Sequence, residues 1–269
     1  MKMKSVLSIA GSDCSGGAGI QADLKTMMAN GVYGMSAITA VTAQNTMGVQ
    51  GIFPITPEFL EKQLISVFSD IVPDAVKIGM VSGPELIDVI AQVLTKYKAK
   101  NIVIDPVMVA SSKDTLVGKM TIERACEILY PLATVLTPNI AEAEVLWGKS
   151  ICNRQHMENA ATELGERLGC SVLVKGGHRR QDADDLLYNK QNGDLNWVYG
   201  RRIDNPNTHG TGCTLSSSIA ANLAKGYRLY DSVVQAKEYM TTVILSGLDL
   251  GRGSGPLNHA ATLTEIVEK

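Results

Sequence analysis

The chain has no run of five like charges, no apolar stretch that approaches a membrane span, and no CxxC pair among its five cysteines. Each absence closes a class. Without a charge run, and at a net charge of −2, nucleic acid is not expected as the main partner. Without an apolar run of about 20 residues, no membrane span is expected. An odd number of cysteines (Cys14, Cys126, Cys152, Cys170 and Cys213) with no close pair speaks against a zinc site and against a disulfide framework. After Met1-Lys2-Met3-Lys4 the apolar segment is shorter than a signal-peptide core, and Gly11-Ser12-Asp13 interrupts it, so a cytoplasmic protein is expected. Linkers, low-complexity tracts and fixed-period repeats are also missing. One domain over residues 1–269 is therefore expected, and a 45% hydrophobic composition supplies its core.

What is present is an alternation of short apolar strands with amphipathic helices. Ser5 to Ala10 reads as a strand, Gly11 to Gly19 as a glycine-rich loop, and Ile20 to Asn30 as a helix closed by Gly31. Met35 to Ala43, Ala75 to Met80, Asn101 to Pro106, Thr134 to Asn139 and Ser171 to Gly177 repeat the strand pattern. Helical spacing follows Pro57, covers Pro84 to Lys96 and Thr121 to Leu129, and recurs over Ile140 to Trp147 and Gln155 to Leu168. Val49 to Ile55 reads as an antiparallel or peripheral strand, and Asp184 to Ile203 as a hairpin turning at Gln191 to Asp194. The last third reads as two helices, Cys213 to Lys225 and Tyr230 to Leu248. This order predicts a mostly parallel sheet covered on both faces.

Two nucleotide motifs fail their own checks. Gly17-x-Gly19-x-x-Ala22 fits a dinucleotide fingerprint, yet Met35 to Thr56 lacks the acid that would hold a ribose. Gly148-Lys149-Ser150 resembles the end of a Walker A loop, but position 143 is alanine and a helix precedes it. No Ser/His/Asp arrangement stands out among four histidines, and His209 reads as a turn residue or hydrogen-bond partner.

The stretch from Asn207 to Ser218 carries more chemistry. Gly210, Thr211 and Gly212 lead from a turn into a small-residue helix, whose first N–H groups and dipole suit an anion. Cys213 falls at that mouth, where a helix N-terminus favours a thiolate, although a buried cysteine after a tight turn has the same pattern. In parallel sheets ligands sit beyond the carboxyl ends of strands. Residues there include Gly11 to Gly19, Gln44, Met80, Asp105-Pro106, Asn139 to Glu142 and Lys175-Gly176-Gly177. Asp105 and Glu142 are carboxylates suited to a hydrated Mg²⁺, although Asn139-x-x-Glu142 also reads as a capping box.

Taken together, these segments resemble the ribokinase-like superfamily, and within it the hydroxymethylpyrimidine and phosphomethylpyrimidine kinases of thiamine biosynthesis. The matching motifs are Ala10-Gly11-Ser12-Asp13 with Ser15 to Thr26, Ile38 to Thr46, Lys77 to Met80, Asp105 to Met108, Thr137 to Glu144, Lys175 to His178, Thr208 to Thr214 and Gly253 to Pro256. The resemblance implies a central, mostly parallel sheet with helices on both faces and a small β-flap. It implies ATP and Mg²⁺ as cofactors, a monovalent cation as an optional addition, and a small-molecule pyrimidine as substrate; a homodimer is also expected. By resemblance, Gly210, Thr211 and Gly212 form the anion hole and Cys213 accepts or positions the substrate proton. Lys175, Thr211 and Gly212 contact ATP, and Asp105 and Glu142 hold the metal. Gly11, Asp23, Gln44, Met80 and Val107 line the ring site, with Asp23 and Gln44 bonding the aminopyrimidine. The related pyridoxal kinases share the Cys-containing turn, so vitamin B6 phosphorylation, or dual specificity, is the alternative activity, and a non-catalytic binding or redox-sensing protein is a remote one. The loops Ser111 to Gly118 and Gly177 to Asp185 have the polar character of lids.

Overall fold

The computed structural model describes residues 3–108, 117–177 and 183–263. Most of both lid candidates, 111–116 and 178–182, lies outside the described residues, as does His178. The strands are β1 (Ser5–Asp13), β2 (Tyr33–Asn45), β3 (Gly48–Pro54), β4 (Ala75–Ile78), β5 (Ile102–Ile104), β6 (Val135–Leu136), β7 (Ser171–Val174), β8 (Asp185–Asn189) and β9 (Asp194–Val198). They form one sheet in the order β3-β2-β1-β4-β5-β6-β7-β8-β9. The six strands from β2 to β7 in that order are parallel, and β3, β8 and β9 add antiparallel edges.

Period-two alternation in the central strands assigns side chains to two faces. Leu7, Ile9, Val76, Ile78, Ile102, Ile104, Leu136, Val172 and Val174 enter one core cluster. That cluster is closed by α2 (Pro57–Phe68), α3 (Pro84–Lys96), α4 (Lys119–Arg124), α5 (Ile140–Trp147) and α6 (Arg154–Leu168). Val6, Ala75, Val103, Val135 and Leu173 face the other cluster, under α1 (Gly19–Ala29), α7 (Thr211–Ala224) and α8 (Leu229–Leu245). On α2, Leu60, Leu64 and Phe68 recur every fourth residue and are buried, each stabilising by about 1.5–3 kcal/mol. The Thr56 side chain caps that helix by accepting from the Phe59 N–H, and Pro57 stands in its first turn.

The expected Thr121 to Leu129 helix begins at Lys119 and passes into a π-helical turn at Ala125–Leu129. The expected flap is the outer part of β2 folded back against β3. Register shifts fall between Ala10 and Ser12 in the β1–β2 pair, and between Ala43 and Gln44 in the β2–β3 pair. Such irregularities bend strand ends, here at Gly11, and re-aim side chains, here that of Gln44.

Candidate active site

Helix α7 enters the site through Gly210, which has φ 86° and supplies no side-chain cap. A β-carbon at Gly210 would collide with the carbonyl of Gly17, so this turn requires glycine twice over. The first turn of α7 therefore keeps N–H groups that no capping side chain closes. Gly212 sits where an added β-carbon would lie 3.0 Å from Asp105 Oδ2 and 3.6 Å from Lys175 Nζ. This glycine turn thus abuts an acid and a cation contributed by the ends of β5 and β7.

Lys175 Nζ lies 2.6 Å from Asp105 Oδ1 and 4.0 Å from Glu142 Oε2. Thr137 Oγ1 stands 3.2 Å from the same Asp105 oxygen. Glu142 does complete a capping box, accepting the Asn139 N–H at 2.7 Å while its own N–H donates to Asn139 Oδ1. The capping-box reading of Glu142 therefore holds, and the same carboxylate lies 4.0 Å from Lys175 Nζ. Burial raises its carboxyl to about 7; Lys175 pulls it down and Asp105 pushes it back up. Among the described residues no group of three or more His, Cys, Asp or Glu side chains forms a metal cage. The pair of buried carboxylates fits a hydrated Mg²⁺, which keeps most of its waters and would relieve the repulsion between them.

One expected placement changes. Asp23 does not line the ring site. Its carboxylate is fully buried and accepts from Ser8 Oγ at 2.6 Å, Ser217 Oγ at 2.7 Å and Lys77 Nζ at 2.8 Å. The period of β1 and β4 turns Ser8 and Lys77 toward α1 and α7, so this network lies beneath the site and ties both helices to the sheet. Burial works against the Lys77 ammonium, but Asp23, with Cys213 and Asp105 further off, outweighs it and raises its pKa. Cys213 stands in the first turn of α7, as expected. Burial pushes its thiol up to about 11, beyond what Lys77 and the Gly19 N–H recover. The residue is only half-buried at the helix mouth, and the raised thiol favours the positioning role of the two expected for it.

At the ends of β1 and β4, Gly11 leaves space for the Met80 thioether: a β-carbon there would stand 2.7 Å from Met80 Cε. Met80, Val107 and Gln44 are half-buried near the strand ends. Asp13 organises the glycine loop, accepting from the N–H groups of Ser15, Gly17 and Ala18 and from Ser15 Oγ. His209, across the site, stands 2.9 Å from Asp13 Oδ2. Burial alone would raise the Asp13 carboxyl, but its bonds to His209, Ser15 and Ala18 hold its pKa at about 2. The organising roles of Asp13 and Lys77 were missed in the sequence. A lone lysine inside an apolar strand was the available signal for Lys77. For Asp13 it was an acid placed between a strand end and the glycine-rich run that follows it. The C-terminal Gly253-Ser254-Gly255 segment also reaches the site: Arg252 and Gly253 donate N–H bonds to Thr46 Oγ1, and Gly255 donates to Asn207 Oδ1.

Residues 13–258 match the family described as phosphomethylpyrimidine kinase. A thiamine biosynthesis bifunctional protein, ThiED, of Geobacter sulfurreducens is 46% identical over 98% of this chain, and the match spans 54% of that protein. A hydroxymethylpyrimidine/phosphomethylpyrimidine kinase of Rhizobium meliloti is 48% identical over 94% of this chain and 96% of its own length. Among solved structures, an ADP complex of Bacillus subtilis pyridoxal kinase has a TM-score of 0.88 at 37% identity, covering 98% of this chain and 100% of that one. The fold, the glycine turn meeting the Asp105–Lys175 pair, and these matches agree: the chain belongs to the phosphomethylpyrimidine kinase family and has a ribokinase-like fold.

Proposed function

We propose that this protein is an ATP- and Mg²⁺-dependent kinase that phosphorylates 4-amino-5-hydroxymethyl-2-methylpyrimidine and then its monophosphate. The observation that carries this reading is the closure of the α7 N-terminus against Asp105 and Lys175 at the carboxyl edge of the sheet. Phosphoryl transfer requires positioning and charge stabilisation more than covalent chemistry. The backbone N–H groups of the Gly210 to Cys213 turn would hold the transferring group, and Lys175 and Thr211 would hold ATP phosphates. Asp105 and Glu142 would bind Mg²⁺ largely through its waters, and the bound ion would offset triphosphate charge. Gly11, Gln44, Met80 and Val107 would receive the ring, while Cys213, as a thiol, orients the hydroxymethyl group.

Pyridoxal phosphorylation is the second reading, favoured by the likeness to the Bacillus subtilis pyridoxal kinase. Steady-state rates with hydroxymethylpyrimidine, its phosphate and pyridoxal rank the two, and faster turnover of pyridoxal reverses the order. We also assign a homodimer. Its support is an apolar edge: Phe53 is 70% exposed on β3, with Val41, Met47 and Ile52 exposed beside it. No helix of the described residues is long and apolar enough to cross a membrane.

A further inference from the structure

The Gln44 amide is bracketed by two groups that determine which way it must face. On one side, His209 Nε2 lies 3.3 Å from Gln44 Nε2 and 2.9 Å from Asp13 Oδ2. Asp13 is an ionised acceptor, already receiving the Ser15, Gly17 and Ala18 N–H groups. The hydrogen in the His209–Asp13 bond must therefore sit on His209 Nε2. Two nitrogens that both carry hydrogen cannot bond each other. On the other side, Thr42 Oγ1 stands 3.3 Å from Gln44 Oε1, and its single hydrogen already goes to the Ser12 carbonyl at 2.8 Å. There, lone pair faces lone pair. Turning the amide by half a revolution makes both contacts favourable: Oε1 accepts from His209 and Nε2 donates to Thr42. Gly17 secures the ring that enforces this, because a β-carbon there would collide with His209 Cδ2.

We propose that His209 is a specificity-determining positioning residue: its Nε2–H, aimed by Asp13, fixes the Gln44 amide with the oxygen toward the anion-hole turn. The proposal rests on the reading of Gln44 as the group that takes the ring edge. With one lone pair given to His209 and one N–H given to Thr42, the amide has one donor and one acceptor left for a ligand. In a fixed order, that pair suits a ring nitrogen beside an exocyclic amino group. A 4-oxo ring presents a carbonyl and a ring N–H, the reverse order, and pairs only if the amide turns over. His209 makes that turn unfavourable, so an active-site side chain on the phosphate turn sets selectivity on the ring side.

The test is equilibrium binding of hydroxymethylpyrimidine and its 4-oxo counterpart, measured by calorimetry without nucleotide on wild type, His209→Ala and His209→Gln. Wild type is expected to prefer the amino ring at least about tenfold, as for a mismatched donor pair in a closed pocket. His209→Ala should lose most of that ratio, because the amide is then free to turn. His209→Gln, whose amide N–H replaces the imidazole donor, should retain most of it. An unchanged ratio in His209→Ala overturns the inference and leaves the proposed function standing. Failure of wild type to bind or phosphorylate the amino compound overturns both. If His209→Ala does not fold, nitrogen NMR of wild type decides: the account requires hydrogen on His209 Nε2, and an unprotonated Nε2 contradicts it.

Discussion

Cys213 shows how burial can reverse a local rule. A helix N-terminus favours a thiolate, and the nearby Lys77 ammonium acts in the same direction, yet desolvation leaves the thiol at about 11. Cys213→Ala should therefore lower kcat by less than about a hundredfold, below the usual loss on removing a general base. The wild-type kcat/KM profile should show no thiol inflection between pH 6 and 9, and alkylation kinetics with a thiol pKa under 8 would contradict this. Beneath it, Lys77 and Asp23 are both fully buried and bonded at 2.8 Å. Lys77→Met strands the carboxylate and should cost about 3–5 kcal/mol in urea unfolding, whereas the double change Lys77→Met/Asp23→Asn should recover much of that. Neither partner's role was legible in the sequence, because they stand 54 positions apart and only the fold joins them. The same holds for Asp13 and His209, which are 196 positions apart. Gly210, Gly212, Asp105 and Lys175 were legible because strand ends and helix starts carry local signals.

Helix α7 is the element on which the site turns. Its entry is glycine for two separate reasons, a positive φ at Gly210 and the approach of Asp105 at Gly212. Gly212→Ala keeps an allowed helical backbone but places a methyl group 3.0 Å from Asp105 Oδ2. It should fold with wild-type melting behaviour and lose about 10²–10³ in kcat, the range for a disturbed anion hole; wild-type kcat would rule out this role. The C-terminal segment is pinned to the same first turn, with His259 Nε2 at 2.9 Å from Thr214 Oγ1. Burial and then Lys25 lower the His259 pKa to about 4, so the folded state holds it neutral. Because the unfolded chain binds that proton nearer pH 6.5, stability is present above about 6.5 and is lost as pH falls toward 4. Between pH 7.5 and 5 the loss should be about 2 kcal/mol in denaturant titrations, and His259→Gln should remove it. The strands were easy to locate since buried parallel strands are short apolar runs. The π-helical turn at Ala125–Leu129 was not, since its side-chain pattern is that of an ordinary helix.

At the scale of the molecule, sheet order brings the ends of β1, β4, β5, β6 and β7 side by side, and α7 covers them from the glycine turn. That convergence was legible from strand–helix alternation alone, but which strand lies beside which was not, because each crossover leaves order to packing. The exposed β3 edge predicts association. Light scattering should give a dimer, and Phe53→Lys with Ile52→Lys should give a monomer that keeps its fold; a wild-type monomer would remove the assignment. The reaction assigned to this site is a phosphoryl transfer from ATP to a hydroxymethylpyrimidine. It is tested most directly by steady-state ADP release with Mg²⁺, ATP and, in separate reactions, hydroxymethylpyrimidine, its monophosphate and pyridoxal. Turnover is expected with the first two, with pyridoxal the poorest in kcat/KM. ADP release that does not depend on either pyrimidine, or that is faster with pyridoxal, would contradict it.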